Sequence, residues 1–317
     1  MAFVDTYDPG VSAIAESLER HAQTLPLDAV LTQEIWAGLA AQGLFSIDDL
    51  FPDDRNAAIC AAMETLGRRG LAGQAAGAFA FLRVAPAELA SSVLEGRARV
   101  SLGQPPYMPA ASEGDIFFTS VDGLAVLLEP TRIEPVETLS TDGWVRVEGA
   151  PSVSLGPFRP AQDVYDLALG AWLVGAGLGL LDSAVAHART RRQFGQSIGS
   201  FQAVGGPLSR AAIRLDAARA LVLTAGAAAD GGDARLAALV RHSSARAASE
   251  AALVAHQTFG ALGMVEQGPV QARSKRIRQL MSQYPPARRI DTNAALSPGK
   301  SLSLMATASA PSEVLDV

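Results

Sequence analysis

The sequence predicts a mainly α-helical fold with one small β-domain in its middle. Three observations carry this: apolar residues recur at helical intervals over 11–95, short Val, Leu and Phe runs broken by turn residues follow over 99–157, and helical periodicity returns after Pro160. At 317 residues, with 49% apolar against 18% charged residues, the chain is long enough for a sizeable core and too apolar for wholesale disorder. The expected divisions are a helical N-terminal domain over 1–97, a reduced β-domain over 98–160, a four-helix bundle over 161–290 and a flexible tail over 291–317.

In the N-terminal part, Pro26 and Thr32 mark helix starts and Gly43 and Gly70 mark stops, with Ile35, Leu39 and Leu44 at helical spacing between them. The middle part is punctuated by Pro105, Pro106, Gly114, Asp122-Gly123 and Asp142-Gly143, which are turn signals between strands. After Pro160, breaks near 195–200, at Gly231-Gly232 and near 263–268 divide the remainder into four helices. The first, around 167–181, is apolar all round; Gly170, Gly175, Gly177 and Gly179 permit close helix approach at a cost in helix propensity. Its uncharged run is shorter than the roughly 20 residues of a membrane span and reads as a buried core helix. In the second, Pro207 suits the first turn, Leu208, Ala211, Leu215, Ala218, Val222 and Ala225 form the packed stripe, and Arg210, Arg214 and Asp216 form the wet one. Beyond Ala294 the chain is rich in Ser, Ala and Pro without any period.

A net charge of −6 and a pI near 5.3 argue against nucleic acid as a partner. The single cysteine, Cys60, cannot form an intramolecular disulfide and reads as a small buried hydrophobe in a reducing compartment. Asp5, Asp8 and Glu16 stand where a secretory signal would be cationic and then apolar, so the expected location is the cytoplasm. His187, His242 and His256 have no Cys, Asp or second His at ligand spacing, so no metal site is expected and all three read as structural. Asp163 and Asp166 read as carboxylates near a helix N-terminus, where the dipole favours them.

One segment combines residue types suited to a flat, anionic cofactor, and a second carries a glutamine followed by a glycine-rich turn. RRQFGQSIGSFQAV, over 191–204, sets arginines, Phe194, Gln193 and Gln202 at a helix end; QTFGALGMVEQGPV, over 257–270, follows Gln257 with a glycine turn at Gly260 and Gly263. Taken singly, Arg191 could serve only as a cation at a helix C-terminus, and either glycine only as a helix cap needing positive φ. Together, in this order and separation, the segments resemble the two signatures of acyl-CoA dehydrogenases, and the sequence of helical, β and helical parts resembles that family's domain order over about residues 11–285. The resemblance implies an acyl-CoA dehydrogenase-like fold and FAD as cofactor. In it, Arg191, Gln193, Phe194, Gln202, Gln257, Gly260 and Gly263 contact an FAD shared across a subunit interface. Ala261 stands where the family usually has a second glycine.

The family's reaction takes a proton from the carbon beside the thioester while hydride leaves the β-carbon for the flavin, and it requires a carboxylate base. Most members carry a glutamate downstream of the glycine turn; aligned from Gln257 and Pro269, that place holds Tyr284, followed by Pro285 and Pro286. Isovaleryl-type members place it on the helix before the first signature, where this sequence has Tyr165 and Asp166. Ionising a tyrosine of ordinary pKa at pH 7 costs about 4 kcal/mol, so neither tyrosine suits the task and no catalytic residue is assigned. The family's flavin-facing run in the β-domain is reduced to SLGQPPYMPAAS, over 101–112.

The resemblance is therefore to the short, degenerate subunit of heteromeric bacterial acyl-CoA dehydrogenases of the steroid side-chain type. It implies a subunit giving half of an FAD site to a homologous catalytic partner in an α2β2 complex, with an acyl-CoA substrate and an electron-transfer acceptor. Two alternatives stand beside it: a self-sufficient homo-oligomeric enzyme with a displaced base, Asp163 or Glu266, and a non-redox scaffold that kept the bundle for assembly.

Overall fold

The computed structural model describes residues 7–109, 115–137, 143–228 and 234–285, and residues 1–287 form one compact unit. The expected turns at Gly114, Asp142 and Gly231-Gly232, Pro286, and the tail over 291–317 lie outside the described residues.

The chain opens with α1 (Pro9–Gln23), entered through Asp8, whose side chain accepts from Gly10 N, and its buried stripe is Val11, Ile14, Leu18 and Ala22. Helix α2 (Gln33–Ala41) starts at Thr32, whose hydroxyl accepts from Ile35 N. Pro26 starts no helix: residues 24–32 run as turns and extended backbone up to that cap. Gly43 leaves α2 at φ +84, and Gly70 follows α4 (Arg55–Arg68) at φ +70; between them lies the short α3 (Ile47–Leu50). Helices α5 (Ala75–Leu82) and α6 (Ala87–Leu94) complete the helical part. Cys60 is buried on α4 as expected, and burial pushes its thiol pKa up.

Five strands follow in the spatial order β1 (Val100–Leu102), β3 (Ile116–Val121), β4 (Leu124–Val136), β5 (Trp144–Pro157), β2 (Tyr107–Pro109); only the β1–β3 pairing is parallel. Ser101 Oγ donates to Pro109 O at 2.7 Å, tying the two edge strands together.

The last part is built on α7 (Arg159–Thr190), 32 residues long and almost wholly buried through its middle. By length and composition alone it could cross a membrane, being longer than the apolar run in the sequence, yet the apolar stretch is enclosed by this fold. Its glycines divide between two neighbours. A methyl group on Gly175 or Gly179 would overlap carbonyl oxygens of α4, and one on Gly170 or Gly177 would strike Val240, Leu215 or Ala248, so both interfaces close to backbone contact. The partners there are α8 (Gln202–Gly226) and α9 (Ala234–Phe259), followed by α10 (Ala261–Met264) and α11 (Gln271–Ser282). On α8 the expected stripe from Leu208 to Ala225 is buried. Pro207 lies inside α8 rather than in its first turn, because the helix already begins at Gln202 and tolerates one missing N–H. The sequence reading of Asp163 and Asp166 as caps is also corrected. Pro160 lets α7 start at Arg159, which leaves Asp163 in an i,i+4 pair with Arg159 and Asp166 two turns inside, fully buried.

Candidate functional site

Both cofactor-like segments lie at one end of the bundle. Helix α7 stops at Thr190, and Arg191 is its extended C-cap residue. A hairpin of β6 (Arg192–Gln193) and β7 (Gln196–Ser197) follows, with Phe194 and Gly195 at its tip, both at positive φ. Two positive φ values at the centre of a two-residue hairpin match the twist of its strands, a conformation costly for phenylalanine. Phe194 is 93% exposed and meets Phe201 edge-on, with ring centroids 6.1 Å apart. Arg191, Gln193 and Gln202 are exposed, and Arg191 has no ion pair among the described residues.

Gln257 is exposed on the last turn of α9. Gly260 adopts φ +59 with open space where a side chain would stand, whereas Gly263 is buried and a Cβ there would lie 2.7 Å from His256 O. The two glycines thus differ: the backbone at Gly260 is approachable from outside, while Gly263 packs the turn. His187 stacks on Phe259, with centroids 4.5 Å apart, and so joins the ends of α7 and α9 that carry the two segments.

Beside this end a groove of about 680 Å³ runs between the sheet and α11. Tyr107 and Trp144 form one wall and Lys275 and Arg278 the other. Gln279 also lines it, and both polar atoms of its side chain are buried without a hydrogen-bond partner. A buried amide with both functions unsatisfied costs a few kcal/mol unless something enters to pair with it.

The two tyrosines at the base positions meet around a residue the sequence reading missed, Arg241 on α9. Its Nη1 lies 2.8 Å from Asp166 Oδ1 and donates to Pro285 O at 2.6 Å, its Nη2 donates to Gln283 O at 3.0 Å, and its guanidinium sits 5.2 Å from the Tyr165 ring centre. Tyr284 follows Gln283 in the held segment, its hydroxyl 3.4 Å from Ser120 O. A cavity between Tyr165, Gln283, Gln74 and Leu102 measures about 10 Å³. Pockets that admit small ligands run to roughly 300–1,000 Å³, far above this cavity beside Tyr165. Burial pushes the Tyr165 hydroxyl up to about 12, with Arg241 pulling against the rise and Asp166 adding to it. Its ionisation at pH 7 therefore costs roughly 7 kcal/mol. Because the folded value lies above the unfolded one near 10, the stability this group contributes is complete below pH 10 and is lost as pH rises towards 12. Burial raises the Tyr7 hydroxyl as well, so an ultraviolet tyrosinate titration should show no more than two of the four tyrosines ionised at pH 11 in the folded protein and the others released on unfolding. Release of all four tyrosines by pH 11 in the folded state would contradict the assignment.

The two carboxylates considered as displaced bases each lie beside a cation. Asp163 pairs with Arg159 at 3.3 Å, and Glu266, its side chain 80% exposed, lies 3.7 Å from Lys275. Arg241 was detectable in principle, as a cation on the buried stripe of Ala238, Ser244, Ala248 and Ala251; nothing in spacing marks Gln279.

Residues 167–282 match the family described as acyl-CoA dehydrogenase, C-terminal domain. The probable acyl-CoA dehydrogenase FadE25 of Mycobacterium tuberculosis is 34% identical over 140 residues, which are 43% of this chain and 36% of that protein. The chain thus aligns with little more than a third of the length of such curated relatives. Among solved structures, a variant of the Tcur3481-Tcur3483 steroid ACAD superposes with a TM-score of 0.72 at 18% identity, covering 85% of this chain and 92% of that one. Butyryl-CoA dehydrogenase from Megasphaera elsdenii gives a TM-score of 0.73 at 14% identity, with 90% and 96% covered. At such identities the likeness establishes a common fold.

Proposed function

Since this chain has the acyl-CoA dehydrogenase fold and carries that family's C-terminal domain, we propose that it is an FAD-holding subunit of an acyl-CoA dehydrogenase complex whose proton-abstracting base lies on a homologous partner. The observation that carries this reading is the contrast between an open, cationic and aromatic surface and the enclosed position of Tyr165 beside the buried Arg241–Asp166 pair. The surface fits the cofactor: Gln279 offers a buried, unsatisfied amide to a heterocycle, Lys275 and Arg278 supply positive charge for a diphosphate, and Tyr107 and Trp144 supply flat apolar walls. At the bundle end, Arg191, Phe194, Gln193, Gln202, Gln257 and the backbone at Gly260 project outward, where a cofactor seated between two subunits would meet them.

When bound, FAD supplies the acceptor for the hydride leaving the β-carbon of a CoA thioester. This chain's residues hold the cofactor and exclude water, while the partner removes the α-proton. The substrate of the complex is a bulky acyl-CoA, for which likeness to a steroid ACAD supports a steroid side-chain thioester, and the electrons pass on to an electron-transfer acceptor. The proposed arrangement is α2β2, two pairs of this chain with a catalytic homologue, each pair sharing one such surface.

The test is purification of the chain alone and co-expressed with a homologue that carries a glutamate base, followed by visible absorbance. Flavin should appear in the co-purified complex. Arg191→Ala with Phe194→Ala should then weaken FAD binding by roughly tenfold or more, the loss of one charge-assisted contact, with the complex intact. A complex that falls apart but keeps its flavin would favour the scaffold reading. Flavin-free, non-associating chains under every condition would end the proposal.

A further inference from the structure

We propose that His256 is a positioning residue for the 260–268 turn and thereby sets the affinity of the FAD site; the inference rests on the function proposed above. His256 occupies the last turn of α9, directly before Gln257, and its ring reaches two other elements. Nδ1 lies 2.8 Å from Gly263 O, and Nε2 lies 3.0 Å from Ser274 Oγ on α11. A carbonyl oxygen only accepts, so the nitrogen facing Gly263 carries a proton, and the hydroxyl of Ser274 completes the other nitrogen.

Gln271 Nε2 donates to the same carbonyl at 3.0 Å, so both lone pairs of Gly263 O are used. Gly263 in turn lies so close to the His256 backbone that no side chain fits between them. The turn is therefore pinned at Gly263 from α9 and from α11. Three residues earlier, Gly260 has nothing packed where its side chain would be. Its N–H is held by the end of α9, at 3.0 Å from His256 O and 3.2 Å from Gln257 O, and its carbonyl by the anchored turn, accepting from Gly263 N at 2.9 Å. His256 also lines the groove that holds Gln279, Lys275 and Arg278. One imidazole thus fixes the approachable backbone at Gly260 relative to the cationic groove, and the two must be in register to hold one cofactor.

The experiment compares His256→Ala and His256→Asn in the complex with the catalytic homologue, reading FAD dissociation constants, and in the chain alone, reading amide hydrogen exchange. His256→Ala leaves one acceptor site of Gly263 O unmet and should raise the Kd by about tenfold. His256→Asn, which retains an N–H donor near the Nδ1 position, should recover most of that loss. Exchange in the chain alone should quicken over 260–268 in His256→Ala, slow again in His256→Asn, and stay unchanged in α1 to α6. An unchanged Kd in His256→Ala would overturn the inference. So would equal weakening by both variants with faster exchange spread along α9 and α11, the mark of a merely structural histidine. Should the wild-type complex take up no FAD, the parent reading fails, and hydrogen exchange still decides whether His256 holds the turn.

Discussion

Replacing Arg241 by methionine should lower the stability of the protein by about 3–5 kcal/mol, the range for removing one partner of a buried ion pair. The side chains of Arg241 and Asp166 are 1% and 0% exposed, so water cannot take over the solvation of the carboxylate left behind. The carbonyls of Gln283 and Pro285 lose their donor as well. Two further measurements separate this account from a packing defect. The double variant with Asp166→Leu should regain a large part of the loss, because the uncompensated charge disappears with its partner. In the single variant the stranded carboxyl must have a folded pKa raised by burial. Its stability deficit should then shrink as pH falls below the ordinary carboxylate value and grow as pH rises through the raised one. A deficit independent of pH and unrelieved by the second substitution would refute the buried-charge explanation. The same bonds that give this stability fix the 283–285 segment to α9.

How far the sequence could be read depended on the distance over which each interaction acts. The α8 stripe was legible because every member lies three or four residues from the next and all are apolar. Thr32 was legible because its cap acts on a residue three positions away. Asp166 was misread for the converse reason: its partner is 75 residues away on another helix, and a local rule about helix starts filled the gap. Pro207 was misplaced because a 3-10 turn, 198–200, feeds α8 directly and moves its start five residues earlier than proline chemistry alone suggests. At the candidate site, the sequence marked Arg191, Phe194, Gln257 and Gly260 through their types and order. It gave no sign of Gln279, whose meaning lies wholly in what fails to pair with it. Nor does it mark His256 as the residue whose ring bridges three elements. Gly260 and Gly263 looked equivalent in sequence, and only packing distinguishes the open one from the enclosed one.

Gly175→Ala should be the second severely damaging substitution, costing about 3 kcal/mol or more. Two effects oppose each other here. In a helix interior, alanine is favoured over glycine by about 1 kcal/mol, so propensity alone predicts a gain. Against it stands geometry: a methyl group at Gly175 would overlap Glu64 O on α4, and across the same crossing one on Gly67 would overlap Trp172 O on α7. These are backbone atoms of two long helices, so relief requires the helices to separate rather than one side chain to rotate, and overpacking of that kind exceeds the usual 1–3 kcal/mol. Separation would also disturb Glu64, which receives Arg219 Nε at 2.7 Å and so ties α4 to α8. Gly206, on α8, is the internal control, since the nearest atom to a methyl group there is the end of Arg210 at 3.6 Å. Gly206→Ala should raise stability by roughly 0.5–1 kcal/mol. Thermal or denaturant unfolding of the two variants side by side therefore tests the sign as well as the size of the effect. Equal stabilisation by both would mean that α4 and α7 do not meet at backbone contact, and the placement of the α7 C-terminal hairpin with Phe194 would lose its rigid support.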